Sequence, residues 1–583
     1  MEAVALNKRP KSGPIAPKDP IKKRPYFFIM QGKEIYGAPM PDKRGIQFIF
    51  EDSGRLIDSA KITGNVKDQE ILELLRSAKG FRRLVHSVGV SVSSRVSTDK
   101  VHFVLQMYGE HQEDKATELT ADLSCDGMEY VINLEDIDFM PTDKEVGQIR
   151  FEFDTPGIQA TTDVCFYLND GFTAPPQTTE TSVDFASDNY KKMIERSLMY
   201  AGNVSRLEKV FEKAGSGEEL TLAFIGGSIT QGAGAVPLHE RNYARVFTEA
   251  FEKKYSQKGK VKLVKAGVGG TPSELGMIRF ERDILRHGQE RPDIIVIEFA
   301  VNDEGDETKG VCYESLVRKA LSLPWHPAVV LLFAVFSFDW NLQDRLGVVG
   351  TRYNIPMVSI MDAVTPQFSL LPEDGRVISK NQFFYDQYHP SNLGHRVMAD
   401  CLLNLMDAVN EGHCKSEGEE RKLSDIRPAI GNDFDYISLL DRKELPMLKE
   451  RYRISGIELG DFADVDKEVQ MAELDYSEDG SPQFPYNWAK TSSESTKSPF
   501  RMKALCSKLL LVFKDSGSPE YGTAEVYVDG KLCLVADPLV VGWTHCNALI
   551  VLNEKDAAIH EIKVSMKEGF EDKKFTILGF GIA

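Results

Sequence analysis

Residues 221–232, TLAFIGGSITQG, decide the fold. The five residues from Thr221 to Ile225 make an apolar run long enough for a buried strand, and Gly226-Gly227 let the chain turn sharply at little steric cost. Ser228 follows at the strand end, where a hydroxyl is exposed and the backbone N–H is unpaired. Those are two parts of an acyl-transfer site, a nucleophile and one donor for an oxyanion. The same junction also suits a helix N-cap or a phosphate-binding turn, so its meaning depends on what lies around it.

Moving outward, apolar runs recur at 261–264, 294–299, 329–335 and 356–360, and helix-like stretches fall at 243–255, 273–285, 313–323, 343–353 and 392–410. Unbroken apolar strands separated by helices predict a parallel sheet covered on both faces, with functional groups on the loops at the strand C-terminal ends. Upstream, YKKMIERSLMYAGNVSRLEKVFEKA (190–214) has apolar residues at helical spacing. The α/β region is expected to span 188–411.

The flanks read differently. Residues 1–25, with prolines and lysines, are expected to be a flexible arm. Residues 26–178 alternate apolar and polar positions in short runs (46–50, 101–108, 129–134, 148–153 and 163–168), interrupted by one helical stretch, DQEILELLRSAKGFRRLV at 68–85. This predicts a β-rich N-terminal domain. After the α/β region a charged segment suggests a linker over 412–430, and 431–583 is again β-like. AEVYVDGKLCLVA (524–536) is a hairpin signal, two alternating runs joined by Asp529-Gly530, and IHEIKVSM (559–566) and FTILGFGI (575–582) read as closing strands of a sandwich.

At 583 residues the chain predicts two to four domains. Its net charge of −18 argues against a sequence-independent nucleic-acid binder and against an anionic membrane surface. No stretch approaches the span of a membrane helix, and the N-terminus has no apolar core of signal-peptide length, so a cytoplasmic protein is expected. Eight cysteines (125, 165, 312, 401, 414, 506, 533 and 546) are scattered without close pairs, as expected of reduced, buried thiols.

A serine needs a base to take its proton, and the base an orienting carboxylate. DQYHP supplies both as Asp386 and His389, just before the last helix of the α/β region. Further oxyanion donors are offered by Gly270 in KAGVGGTPS, after the second strand, and by the Asn302 side chain in FAVND, after the third. Each block alone is equally a glycine-rich turn or a helix cap. The acids Glu298, Asp303, Glu304, Asp306 and Glu307 read as a solvated loop; no metal or cofactor is expected.

These blocks, in this order at successive strand ends, resemble the SGNH (GDSL-type) hydrolase superfamily over 188–410. The resemblance implies a flavodoxin-like three-layer α/β domain, here flanked by β-rich domains of sandwich or jelly-roll type. It also implies Ser228 as nucleophile, the Ser228 N–H, Gly270 and Asn302 as the oxyanion hole, and Asp386 and His389 as orienting acid and base. The third block departs from the family pattern, reading Ala300-Val301-Asn302-Asp303 where Gly-x-Asn-Asp is usual. The first block, Gly-Gly-Ser rather than Gly-Asp-Ser, resembles bacterial carbohydrate esterases of this superfamily, several of which carry accessory β-sandwich domains. An esterase removing O-acetyl groups from acetylated oligosaccharides is therefore expected, with Trp543 and His545 as candidate sugar contacts beside Tyr486 and Trp488. The alternatives are a lysophospholipase or thioesterase on longer acyl chains, and a non-catalytic carbohydrate-binding scaffold. Self-association of the chain, as a homo-oligomer, stays open.

Overall fold

The alternating runs of the N-terminal region close on each other as two antiparallel sheets. The computed structural model describes residues 24–583 apart from 50–52, 97–98, 111–113, 178–179, 416–420, 493 and 495–496. Nearly all of the expected arm, and the middle of the expected linker, lie outside the described residues. By contacts the chain divides into two units, Met1–Thr181 and Ser182–Ala583.

In the first unit, strands Tyr26–Tyr36, Gln159–Leu168, Val85–Ser94 and Tyr130–Asn133 form one sheet, in that order. Strands Ala38–Pro39, Gly45–Phe48, Glu145–Phe153, Lys100–Tyr108 and Glu118–Ser124 form the other. Both bury their inward residues in one core that includes Phe27, Phe81, Phe103, Phe151 and Phe166. The helical stretch expected at 68–85 is two helices, Gln69–Leu74 and Ala78–Leu84, because the Ser77 hydroxyl caps the second by accepting the Gly80 N–H.

In the second unit six strands form the central sheet: β1 (Leu198–Tyr200), β2 (Leu220–Gly226), β3 (Val261–Gly267), β4 (Ile294–Glu298), β5 (Ala328–Phe333) and β6 (Met357–Ser359). Their spatial order is β1-β6-β5-β4-β2-β3, with β2 to β6 parallel and β1 antiparallel at the edge. The winding direction reverses at β2, which has β3 on one side and β4 on the other. That is the flavodoxin-like switch point, beside which doubly wound sheets bind ligands at the strand C-terminal ends. The helical spacing at 190–214 conceals a break: helices Asp188–Glu195 and Ser205–Ser216 flank β1. Sheet pairing overrides the pattern here, with Ser197 O accepting the Ser359 N–H at 2.8 Å. Gly202, at φ +59, leaves no room for a Cβ beside the Asn354 and Ile355 backbone.

The C-terminal β-domain has one hydrogen-bonded sheet of eight strands and a separate two-stranded one, Met471–Glu473 with Gly480–Pro482; Ala524–Val528 and Lys531–Ala536 form the expected hairpin. Asp529 and Gly530 both take positive φ at its turn. Strand Phe500–Asp515 is apolar on both faces for a reason. Leu509, Leu511 and Phe513 enter the β-domain's own core, while Leu510 and Val512 join Ile278 and Leu316 in the core of the α/β domain. Both leucines 510 and 511 are fully buried, and each such side chain stabilises the fold by about 1.5–3 kcal/mol. The end of the expected linker is likewise fastened, since the Glu314 carboxylate accepts the N–H groups of Ala429, Ile430 and Gly431. Six of the eight cysteines are buried, but Cys414 is partly exposed and Cys533 exposed, against the expectation for all eight. Among the described residues no helix is long and apolar enough to cross a membrane.

Candidate active site

Register brings the sequence blocks to one level. Gly226 of β2 pairs with Gly267 of β3 and with Glu298 of β4, so the three loops that follow start side by side. Ser228 opens a one-turn helix, Ser228–Gln231, directly after β2. Its N–H, at the first helical position, has no intrahelical acceptor. The glycines before it are required by close approach: a Cβ on Gly226 would lie 2.2 Å from Thr230 Oγ1, and one on Gly227 would lie 2.2 Å from Asn302 Oδ1. Gly227 thus lets the Asn302 amide lie against the Ser228 turn. From the β3 side, a Cβ on Gly269 would meet Ser228 Cβ at 3.8 Å. Gly270, at φ +71, follows in a conformation that favours glycine.

The DQYHP loop faces the same point. It is held as a tight turn by Tyr385 N–H donating to His389 O at 2.9 Å, ahead of the helix Asn392–Asn410. His389 Nε2 lies 2.9 Å from Ser228 Oγ, and His389 Nδ1 lies 2.8 Å from Asp386 Oδ2. Burial alone would raise the Asp386 carboxyl, but the adjacent imidazole and the N–H groups of Tyr388 and His389 outweigh it and hold the group at about 2. An ionised Asp386 can only accept, so Nδ1 carries the proton and Nε2 is left to accept from the serine hydroxyl. The structure therefore joins Ser228, His389 and Asp386 in one hydrogen-bonded chain, sets Asn302 against the Gly227 turn, and places Gly270 one residue beyond Gly269 in the neighbouring loop.

The acidic run is a solvated loop only in part: Glu304 and Glu307 are exposed, as read from the sequence, but the other three acids are not. Glu298, Asp303 and Asp306 are fully buried. Burial lifts Glu298 to about 7, and Thr230 Oγ1 donates to it. Burial, with the neighbouring Asp306, lifts Asp303 to about 8, and the Ser273 N–H donates to its Oδ1 at the start of the helix Ser273–Asp283. Asp306 accepts from the N–H groups of Thr308 and Gly310 and from the Thr308 hydroxyl. Burial pushes Glu274, hydrogen-bonded to Asp306, up to about 10. Glu274, Asp306 and Cys312 come within 4.8 Å of one another, yet these carboxyls already serve backbone N–H groups as braces of the loop that carries Asn302. In the departing block, Ala300 is buried and its carbonyl accepts the Leu342 N–H at 2.9 Å.

Trp543 and His545 arrive from the C-terminal domain and have different situations. Trp543 is 45% exposed, and its Cζ2 would lie 3.0 Å from a Cβ on Gly270. His545 is buried and engaged at both nitrogens, 3.1 Å from Gly270 O and 3.2 Å from Asp515 Oδ2, so it supports the loop and offers no free edge to a sugar. Trp488 belongs to the core and Tyr486 is exposed beside Lys443.

Sequence reasoning missed several neighbours. Gln231 Oε1 accepts the Gly269 N–H, and buried Lys265 donates to Gln231 O and Glu473 O. Buried Arg279 donates to Gly226 O and Ala266 O beneath the site. An aromatic group, Phe336, Phe338, Trp340 and Tyr388, packs beside His389, with Phe338 55% exposed. The FSFDW run after β5 was the available signal for it.

Comparison with known proteins bears on the fold and the reaction class. Residues 224–397 match the model of the GDSL-like lipase/acylhydrolase family. No curated protein matches the sequence. Among solved structures, a two-domain esterase (CEX) active on acetylated mannans, co-crystallised with mannopentaose, aligns with a TM-score of 0.54 and 25% identity over 67% of this chain and 99% of that one. A second structure of such an esterase (CEX) gives the same score and identity, over 67% and 98%. A doubly wound domain matched over 224–397 by the GDSL-like lipase/acylhydrolase model, and similar in structure to an acetyl esterase, is that of a carboxylic ester hydrolase that resembles the SGNH (GDSL-type) superfamily.

Proposed function

We propose that the protein removes O-acetyl groups from acetylated oligosaccharides through a Ser228 acyl-enzyme. The observation that carries the mechanism is the continuous chain Asp386, His389, Ser228, with Nε2 2.9 Å from Oγ. Ser228 attacks the acetyl carbonyl while His389 takes its proton and then returns it to the departing sugar oxygen. Asp386 holds the imidazole and stabilises its charged form. The N–H groups of Ser228 and Gly270 and the Asn302 amide stabilise the oxyanion. Water enters by the same route, its proton taken by His389, and acetate leaves as Ser228 regains its hydrogen. No metal is assigned a part in this sequence.

Two observations support a sugar as leaving group. The exposed Trp543 ring stands at the Gly270 loop, and the Phe338 group stands beside His389; aromatic faces of this kind suit sugar C–H surfaces. A structural neighbour, a two-domain esterase, acts on acetylated mannans. The test is the initial rate on synthetic esters with acyl chains of about two to eight carbons, wild type beside Ser228→Ala. A Ser228-dependent rate that is highest for acetyl and falls with length agrees with the proposal. A rate that rises with length replaces it with a lipid or thioester substrate, and no Ser228-dependent rate replaces it with a binding scaffold.

A further inference from the structure

We infer that Gln470, reaching in from the C-terminal β-domain, is a positioning residue for the oxyanion hole, acting on the Gly270 N–H through the Gly269 carbonyl. The inference rests on the reading of Gly270 as an oxyanion donor and extends the reacting apparatus beyond the α/β domain.

The argument starts from the planarity of the peptide group. The Gly270 N–H and the Gly269 C=O belong to one rigid unit, so whatever fixes the oxygen fixes the direction of the N–H. Gly269-Gly270 is the most permissive dipeptide a chain can offer, and it needs outside restraint to hold a donor in place. Gln470 Nε2 donates to Gly269 O at 2.8 Å. The Cys546 N–H donates to Gln470 Oε1 at 2.9 Å. A backbone N–H can only donate, so that second bond fixes which end of the amide is oxygen and leaves the NH2 facing the Gly269 carbonyl. Gln470 is itself anchored, buried, with its own carbonyl accepting the Gln483 N–H at 2.7 Å.

The neighbouring peptide groups are held as well. Gln231 Oε1 accepts the Gly269 N–H at 2.8 Å, and Gln231 Nε2 donates to Glu473 Oε2 at 2.6 Å. His545 Nε2, facing a carbonyl that can only accept, donates to Gly270 O at 3.1 Å. Three successive peptide groups are thus gripped by side chains, and two of the grips, Gln470 and His545, come from the β-domain. A hydrogen bond accepted by the carbonyl also polarises the N–H of the same group, which strengthens it as an anion donor.

The experiment compares Gln470→Glu and Gln470→Met with the wild type on a small acetyl ester, recording kcat, KM, melting temperature and the inhibition constant of a boronic acid that becomes tetrahedral on Ser228. Gln470→Glu keeps the acceptor for Cys546 and sets an oxygen against the Gly269 carbonyl; Gln470→Met keeps the volume and removes the donor. Displacing a reacting group by about 1 Å costs roughly a hundredfold. The expected result is a kcat lowered about ten- to a hundredfold in both, a KM within about threefold, and boronate affinity weakened in step with kcat/KM. A packing role alone would lower the melting temperature or raise KM while kcat stayed put, and that result overturns the inference. So does a kcat within about threefold of wild type in both variants. Should Gln470→Glu fail to fold, Gln470→Met decides alone. A wild type with no Ser228-dependent rate removes the functional reading and this inference with it, whereas an active wild type with unaffected variants removes this inference only.

Discussion

Gly227→Ala should inactivate the enzyme without unfolding it. The new Cβ would lie 2.2 Å from Asn302 Oδ1 and 2.6 Å from its Cγ, so the Asn302 amide must retreat by more than 1 Å to regain ordinary contact at 3.4 Å. The atoms in the way belong to the end of a side chain. Gly227 has φ −86 and ψ −145, at the margin of the extended region and outside the left-handed one that only glycine readily adopts. The fold can therefore yield at Asn302 while β2 and the Ser228 turn stay where they are. If Asn302 is an oxyanion donor, moving it by about 1 Å costs roughly a hundredfold in kcat. Steady-state kinetics on a small acetyl ester, with a thermal melt alongside, reads both quantities. A kcat within about threefold of wild type in a folded variant would refute the reasoning, because the close approach of Gly227 and Asn302 would then have no bearing on turnover.

Asn302→Ala, which removes the donor outright, should lower kcat by about 10²–10³ in the same assay; a loss under about threefold contradicts its role. Glu298→Gln tests the buried carboxyl. Its ordinary value is 4.5 and burial raises it to about 7 in the folded state, so between these the native protein keeps a proton that the unfolded chain releases, and stability falls as pH rises through that window. The variant lacks this dependence and should gain on the wild type by on the order of 3 kcal/mol between about pH 4.5 and pH 7; parallel stability curves against pH would count against it. Leu510→Ala, which opens a cavity between the β-domain sheet and the helices of the α/β domain, should cost about 2–5 kcal/mol by denaturant unfolding. A cost below about 1 kcal/mol would mean that the two faces are not packed as one core.

What could be read from the sequence was what local chemistry fixes. The strands of the central sheet announce themselves because both faces are covered, which leaves unbroken apolar runs such as that before Gly226. Ser228, Gly270 and Asn302 were legible because each follows such a run, and strand register then brings the ends level; the Asp386–His389 pair was legible because a serine nucleophile needs a base with an orienting carboxylate. The Asp529-Gly530 turn was legible because its positive φ values restrict which residues can stand there. What escaped depends on partners far away in the chain. The acids after β4 look like a solvated loop until the N–H groups that they brace are placed around them. The LLLVF run at 509–513 does not disclose that its alternate residues serve two cores. Gln470 carries no signal, and His545 suggested a sugar contact instead, since what each holds is a carbonyl some 200 or more residues distant.

The most direct test of the account is acetate release from an acetylated manno-oligosaccharide, measured for the wild type and for Ser228→Ala under the same conditions. The account predicts release by the wild type and essentially none by the variant, with the fold of the variant intact. Release that persists without Ser228, or a wild type that leaves the acetylated sugar untouched while hydrolysing long-chain esters, would contradict it.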